Sequence, residues 1–396
     1  MSRRPPPILL LAMASGMSPF GMTIILPALP AITRAFDATY ADVQWLVSGY
    51  LLGIAAAQPL VGFLCDRIGR RPVFLAGFSL FVITSVLLSF AETLPQLIGL
   101  RVLQAVGGST GTVVSRAVIR DLYSASSASQ AVSVIAMGMG VAPIVAPLAG
   151  GWMLAIADYP AIFLLTAACG ALVLMTLAAW LIETMQHAPR ESSMGWLARY
   201  SLLFTSRAFM GFTLVMGFVQ GSFFAFLAVG ADVFQTHFGI GPAGFGTLWG
   251  GMSSAYVLGA MIGGRQRDVG AQRFALAASV TLSLVFGCLL YILTAAWGTK
   301  LIICIPLLAA LMITSGIISP LVMAGAVNYH PQIAGTSAGL SSALGLVIGS
   351  SFTILAGFAY RGDFEPIAGL VGLAAALTFA SWLLIRRLDI APASRG

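Results

Sequence analysis

Residues 62–74 read GFLCDRIGRRPVF, with four charged side chains in the six positions Asp66 to Arg71 of a 396-residue chain that is only 8% charged. Long apolar runs lie on both sides. The cluster therefore marks a short polar connection between two membrane-length helices. Gly62 and Gly69 provide for close approach and a turn, and Pro72 suits the first turn of the helix that follows. Arg67 and Arg71 are ordinary anchors at a membrane surface. Asp66 is not: a carboxylate at a low-dielectric boundary needs a positive partner, either a helix N-terminus or an arginine.

Working outward, 59% of the residues are apolar, and the chain has 44 glycines but only 13 carboxylates. No single water-soluble globule can bury that much apolar surface. Twelve apolar runs are each long enough to cross about 30 Å of hydrocarbon as a helix. They are expected at 8–31, 43–64, 72–90, 95–119, 131–156, 160–182, 208–231, 242–263, 274–296, 300–327, 335–359 and 365–385. The dyad alternation of a membrane β-barrel is absent. With both termini placed inside, only Arg34, Arg101, Lys300 and Arg361 of the 20 basic residues fall outside. The carboxylates show no such bias, so the net charge of +7 reflects topology rather than affinity for nucleic acid. The start, MSRRPPPILLLAMASG, carries a signal-peptidase-like Ala12-Met13-Ala14, but the apolar run continues past it, as in an uncleaved first helix. Cys65 is assigned to an inner loop and Cys169, Cys288 and Cys304 to helices, which suggests no disulfide framework.

The longest polar interruption divides six helices from six. Its organisation is an N-terminal half at 1–182, a cytoplasmic linker at 183–207 and a C-terminal half at 208–396. DRIGRR after the second helix has a weak echo in RDVGAQR at 267–273, after the eighth. Repeated halves with a substrate path between them are a transporter architecture. Glycines at four-residue spacing, as in Gly217/Gly221 and Gly345/Gly349, let helix backbones approach closely.

Other intramembrane polar residues are few. Arg101, Gln104 and Gly108 share one face of the fourth helix, where a buried arginine faces a polar cavity or else snorkels to the surface. Arg116, nearer the inner end, reads as a snorkelling side chain. Pro143 and Pro147 lie on one face of the fifth helix, ahead of Gly150 and Gly151, and bend it. Asp232 closes the seventh helix, either as a proton site or as a solvated interfacial carboxylate, and Asp42 reads as an N-cap of the second. Gln220, Phe223, Phe224, Trp249 and Tyr256 are candidates for an apolar, aromatic substrate wall; packing or lipid contact is the alternative for each ring.

Gly62, Asp66, Arg67, Gly69, Arg70, Arg71 and Pro72 resemble the loop signature of the major facilitator superfamily. The resemblance implies an all-α membrane fold of two six-helix halves. It implies an inner gate in which Asp66 docks on the start of the eleventh helix, near PQIAGTSAGL, and Arg70 meets Asp121. Arg101 and Gln104 match the superfamily's fourth-helix motif, with Ala105 where glycine is usual, and Pro147, Gly150 and Gly151 are similar to a motif of its efflux antiporters. LPALPAI at 26–32, RDLY at 120–123 and AGTSAGL at 334–340 resemble the Bcr/CflA group of drug-resistance transporters. In that group a carboxylate commonly stands where this chain has Thr23, and threonine cannot carry a proton. Asp232 is then the remaining candidate.

A serine-nucleophile elbow is formally present in GGSTG at 107–111, but the serine falls within a helix and His187, His237 and His330 all fall in loops. No metal-ligand or P-loop pattern occurs, so neither a metal nor another cofactor is expected. The expectation is a monomeric, multi-pass inner-membrane transporter that exports small amphipathic drugs, with protons as the exchanged partner. Metabolite uptake or exchange is the alternative within transport; a receptor or intramembrane enzyme is the alternative outside it.

Overall fold

The computed structural model describes residues 7–123, 125–185, 196–266 and 268–387. Arg3, Arg4, Arg190, Arg267, Arg395 and His187 lie outside the described residues, as does linker segment 186–195. Two compact units emerge, Met1–Arg190 with Ile240–Gly250, and Glu191–Gly239 with Gly251–Gly396. The first contains α1 (Ile8–Thr23), α2 (Leu29–Ala35), α3 (Tyr40–Val43), α4 (Trp45–Ile68), α5 (Arg70–Leu88), α6 (Leu94–Leu122), α7 (Ala125–Ile156) and α8 (Pro160–Trp180). In the second unit are α9 (Trp196–Thr205), α10 (Arg207–Asp232), α12 (Val269–Trp297), α13 (Leu301–Asn328), α14 (Ala334–Ala359) and α15 (Glu365–Ile385). Between α10 and α12 runs α11 (Pro242–Gly264), whose first turns belong to the first unit and the rest to the second.

Among the described residues, eleven helical segments are long and apolar enough to span a membrane. The twelfth expected span, α11, is a helix of 23 residues. Its glycines and serines dilute its mean hydropathy.

Helix ends follow local chemistry. Ser206 caps α10 by accepting from Phe209 N–H at 3.3 Å, and Asp268 caps α12 by accepting from Ala271 N–H at 3.0 Å. At the start of α3 the cap is Thr39, not Asp42; Asp42 sits three residues on and returns the bond to Thr39 N–H, completing a capping box. The first expected helix is broken. LPALP puts a 3-10 turn, Leu26–Ala28, between α1 and α2, because Pro27 and Pro30 each remove a backbone donor.

In the first unit, Phe74, Phe78 and Phe81 stack along α5 in a core shared with α1, α4, α6, α7 and α8. The second unit is knit most tightly between α10 and α14. Gly217 and Gly221 leave notches filled by Ile348 and Phe352, and Gly345 and Gly349 leave notches filled by Gln220 and Phe224. Lipid supplies no hydrophobic drive between helices, so such interlocking contact holds them together. This changes the reading of two wall candidates: Gln220 and Phe224 are seated in the glycine notches of α14.

Candidate functional site

The charged stretch at 62–74 is less of a loop than its sequence implies. α4 continues through Cys65, Asp66 and Arg67 to Ile68, and α5 begins at Arg70. Cys65 is therefore a buried helical residue and not a loop thiol. Only Gly69 breaks the helix, with φ of +104°, a value that excludes ordinary side chains. A Cβ there would also lie 2.5 Å from a carboxylate oxygen of Glu183. Gly62, by contrast, has nothing within 4 Å of an added Cβ, so it makes no close approach.

Two kinds of ion pair follow. Arg70 is buried, and its Nε and Nη2 donate to the two oxygens of Asp121 at 2.7 and 3.3 Å, while Nη1 donates to the Cys65 carbonyl at 2.8 Å. This is a planar fork on a carboxylate, supported by Thr184, whose hydroxyl donates to Asp121 at 3.0 Å. Asp66 is half exposed and takes Arg120 at 3.3 Å and Arg70 at 3.4 Å. An exposed pair of this sort is worth about 0–1 kcal/mol, whereas stripping a partner from a buried one costs several.

Glu183 is not among the gate residues expected above. Its carboxylate accepts from the backbone N–H groups of Arg70 at 3.0 Å and Arg71 at 3.1 Å, and from Met185 N–H at 2.9 Å. The first amides of a helix have no partner within it and concentrate positive potential, so a carboxylate just beyond α8 caps α5 from 112 residues away. Burial pushes the Glu183 pKa upward, but the amide donors from Met185, Arg70, Arg71 and Thr184 outweigh it and hold it below the usual carboxylate value. The one available signal was an isolated Glu-Thr pair directly after an uncharged helix.

Glu183→Gln should lower the thermal midpoint of the detergent-solubilised chain at pH 7 by about 2 °C, in line with a cap worth about 1 kcal/mol. A depressed folded pKa contributes stability above the unfolded value and loses it as pH falls through the folded one. The two midpoints should therefore converge on acidification, and equal midpoints at pH 7 would remove the capping role.

A second polar constellation lies deeper in the same unit. Arg101 is fully buried. Its Nη1 donates to Gly21 O at 2.9 Å and to Gln104 Oε1 at 2.6 Å, and its Nε donates to Leu46 O at 3.3 Å. The guanidinium carbon stands 4.2 Å from the Tyr50 ring centroid, and Nη2 has no hydrogen-bond partner. Gln104 in turn donates to Ser85 Oγ at 2.7 Å, and Tyr50 donates to Ser18 O at 3.0 Å. Snorkelling is thus excluded for Arg101, while Arg116, on the same helix, is exposed. Nearby, Thr23 is fully buried and donates to Pro19 O at 2.8 Å, closing on its own helix. Pro143 and Pro147 lie within α7, and Gly150 lets that helix rest on the carbonyl of Ile24, the residue after Thr23. Gly151 is equally tight, against Pro242 O.

At the end of α10, Asp232 is not a freely solvated carboxylate. It is half-buried and accepts from Tyr360 Oη at 2.6 Å and from Thr236 Oγ1 at 3.3 Å. Burial, then the bond to Asp232, pushes the Tyr360 hydroxyl pKa upward. The helix does not stop there; one further π turn, Val233–His237, carries His237. Among the remaining aromatic candidates, Trp249 is fully buried against Phe245, Tyr256 is half-buried and bonded to Ser319, and Phe223 is half-buried, edge-on to Phe224. Ser109 donates to Val106 O inside α6, so no nucleophile elbow exists.

A sequence model of the Major Facilitator Superfamily matches residues 11–354. The chain belongs to that superfamily. It is a multi-pass transporter of the inner membrane and not an enzyme. It is 29% identical over 342 residues to multidrug resistance protein D of Escherichia coli (strain K12), covering 85% of this chain and 84% of that one. It is 30% identical over 263 residues to a chloramphenicol resistance protein of Pseudomonas aeruginosa, covering 65% and 61% respectively. Such relatives agree with the Bcr/CflA resemblance. The fold matches a crystal structure of a bacterial homolog of the human lysosomal transporter Spinster, with a TM-score of 0.77 at 16% identity over 98% of both chains. The expected facilitator fold is therefore the fold of this transporter.

Proposed function

We propose that this transporter exports small amphipathic drugs from the cytoplasm by alternating access, as a monomer and in exchange for protons. The observation that carries the reading is the kinship with drug-resistance proteins over most of the chain. α7, which carries Pro143, Pro147, Gly150 and Gly151, supports export over uptake, being similar to the antiporter motif.

The two ion pairs divide the work at the gate. Arg70–Asp121 is a forked pair with a buried arginine, costly to part, and it ties α5 to α6. Asp66 is half exposed and held only loosely, by Arg120 at 3.3 Å and Arg70 at 3.4 Å, so it is the member of the cluster free to exchange partners during the cycle. Arg101 and Gln104 are the polar groups of the first unit that act in transport, and Phe223 and Tyr256 are the half-buried aromatic candidates of the second. Because Thr23 cannot titrate, Asp232 with Tyr360 carries the proton.

The test is export by the purified chain in liposomes free of other proteins, with chloramphenicol as the probe and a pH gradient imposed. Accumulation against the chloramphenicol gradient, driven by the proton gradient, is the expected result. Movement indifferent to the pH gradient would replace antiport by facilitated exchange, a reading that the back-bonded hydroxyl of Thr23 favours. No movement of any tested drug would leave metabolite transport in its place.

A further inference from the structure

The second unit contains a cavity of about 270 Å³ where α10, α12 and α15 meet. Its floor is the buried ring of Phe212, its wall Trp382 and Ile385, and its rim Phe274, Arg273 and Arg386. Phe274 is 76% exposed, and so large an apolar side chain on a membrane helix faces lipid; the cavity opens sideways towards hydrocarbon. Both rim arginines are exposed, at the start of α12 and just past the end of α15, and Arg387 adjoins the second. The positive-inside distribution assigns this end to the cytoplasmic leaflet.

We infer that this cleft holds one acidic phospholipid of the inner leaflet, its phosphate on Arg273 and Arg386 and the upper part of its acyl chain against Phe212, Trp382 and Ile385. The chemistry of the walls selects this occupant. A neutral drug has no use for two guanidiniums, and 270 Å³ is below the roughly 300–1,000 Å³ of drug-sized pockets. A soluble anion has no use for an apolar floor that opens to hydrocarbon. A lipid needs only its glycerol region enclosed, since the rest of its chains stays in the bilayer. Guanidinium forks match phosphate oxygens, and basic clefts between helices on the cytoplasmic side suit anionic headgroups. The occupant would touch α10, α12 and α15 together.

Native mass spectrometry of the delipidated full chain, titrated with phosphatidylglycerol or with phosphatidylcholine of the same chains, tests this. Wild type should hold a single phosphatidylglycerol about tenfold more tightly than phosphatidylcholine. Arg273→Gln/Arg386→Gln should abolish that preference, and Trp382→Ala should weaken both lipids alike. Arg199→Gln/Arg265→Gln, which removes two arginines of the same unit outside the cavity, should leave the preference intact. Equal binding of the two lipids by wild type, or equal loss in the control variant, would overturn the site. Displacement of the bound lipid by glycerol 1-phosphate at millimolar concentration would overturn it too, since a free phosphate ester would then be sufficient.

Discussion

Arg101→Ala is expected to reduce export at least about tenfold and to destabilise the first unit by roughly 3 kcal/mol, whereas Arg116→Ala should change either quantity little. The difference lies in what each side chain touches. Arg101 supplies the donors for Gly21 O, Leu46 O and Gln104 Oε1, all within a fully buried neighbourhood, and its removal leaves those acceptors short of a partner about 1–3 kcal/mol apiece. Arg116 is exposed and can be shortened without orphaning a buried group. Loss of packing must be separated from loss of function, and Arg101→Lys does this. Lysine keeps the charge but cannot bridge Gly21 O and Leu46 O with a planar fork while lying over Tyr50, so it should restore part of the stability and little of the transport. Transport rates in liposomes, with thermal midpoints for the same preparations, give both readouts. Equal rates for the alanine variants at positions 101 and 116 would remove Arg101 from the mechanism.

Most of the fold is legible because membrane crossing leaves a one-dimensional mark: a run of apolar residues long enough for hydrocarbon, with no water to satisfy an exposed backbone. The same mark misleads where length and apolarity part company. α11 reads as a span by length, yet its glycines and serines keep it from matching the apolarity of the other helices. LPALP reads as apolar and hence continuous, but its prolines break it. For the site, legibility depends on the distance between partners along the chain. Arg70 and Asp121 can be named as a pair only through family resemblance, since nothing local joins positions 51 residues apart. Glu183 has no such aid, and its bond to α5 exists only once α8 has folded back beside that helix. Gln220 looks like an orphan amide that needs a polar cavity; the fold instead gives it a notch made by a glycine 125 positions later, a shape that no property of Gln220 announces.

The remaining large effect concerns Asp232. If this carboxylate carries the proton, Asp232→Asn should abolish accumulation against a gradient while leaving downhill exchange measurable, because asparagine keeps the shape and the bond to Tyr360 but cannot titrate. The tyrosine makes the test sharper. Its hydroxyl donates to the carboxylate at 2.6 Å. Tyr360→Phe removes the donor without adding bulk, so the pH profile of proton-driven export should change if Asp232 carries the proton. The double variant Asp232→Asn/Tyr360→Phe should behave as Asp232→Asn alone, since the tyrosine then has no carboxylate left to tune. A structural role would give another pattern: both single variants would lower the thermal midpoint, and neither would move the pH profile of the export that remained. Unchanged uphill export by Asp232→Asn would place the proton on another group or remove it from the cycle. Thr23→Asp supplies the complementary result. It sets an acid beside α7, where Gly150 meets the Ile24 carbonyl, and should give the Asp232→Asn background a new pH dependence if the first unit can still accept a proton at that position.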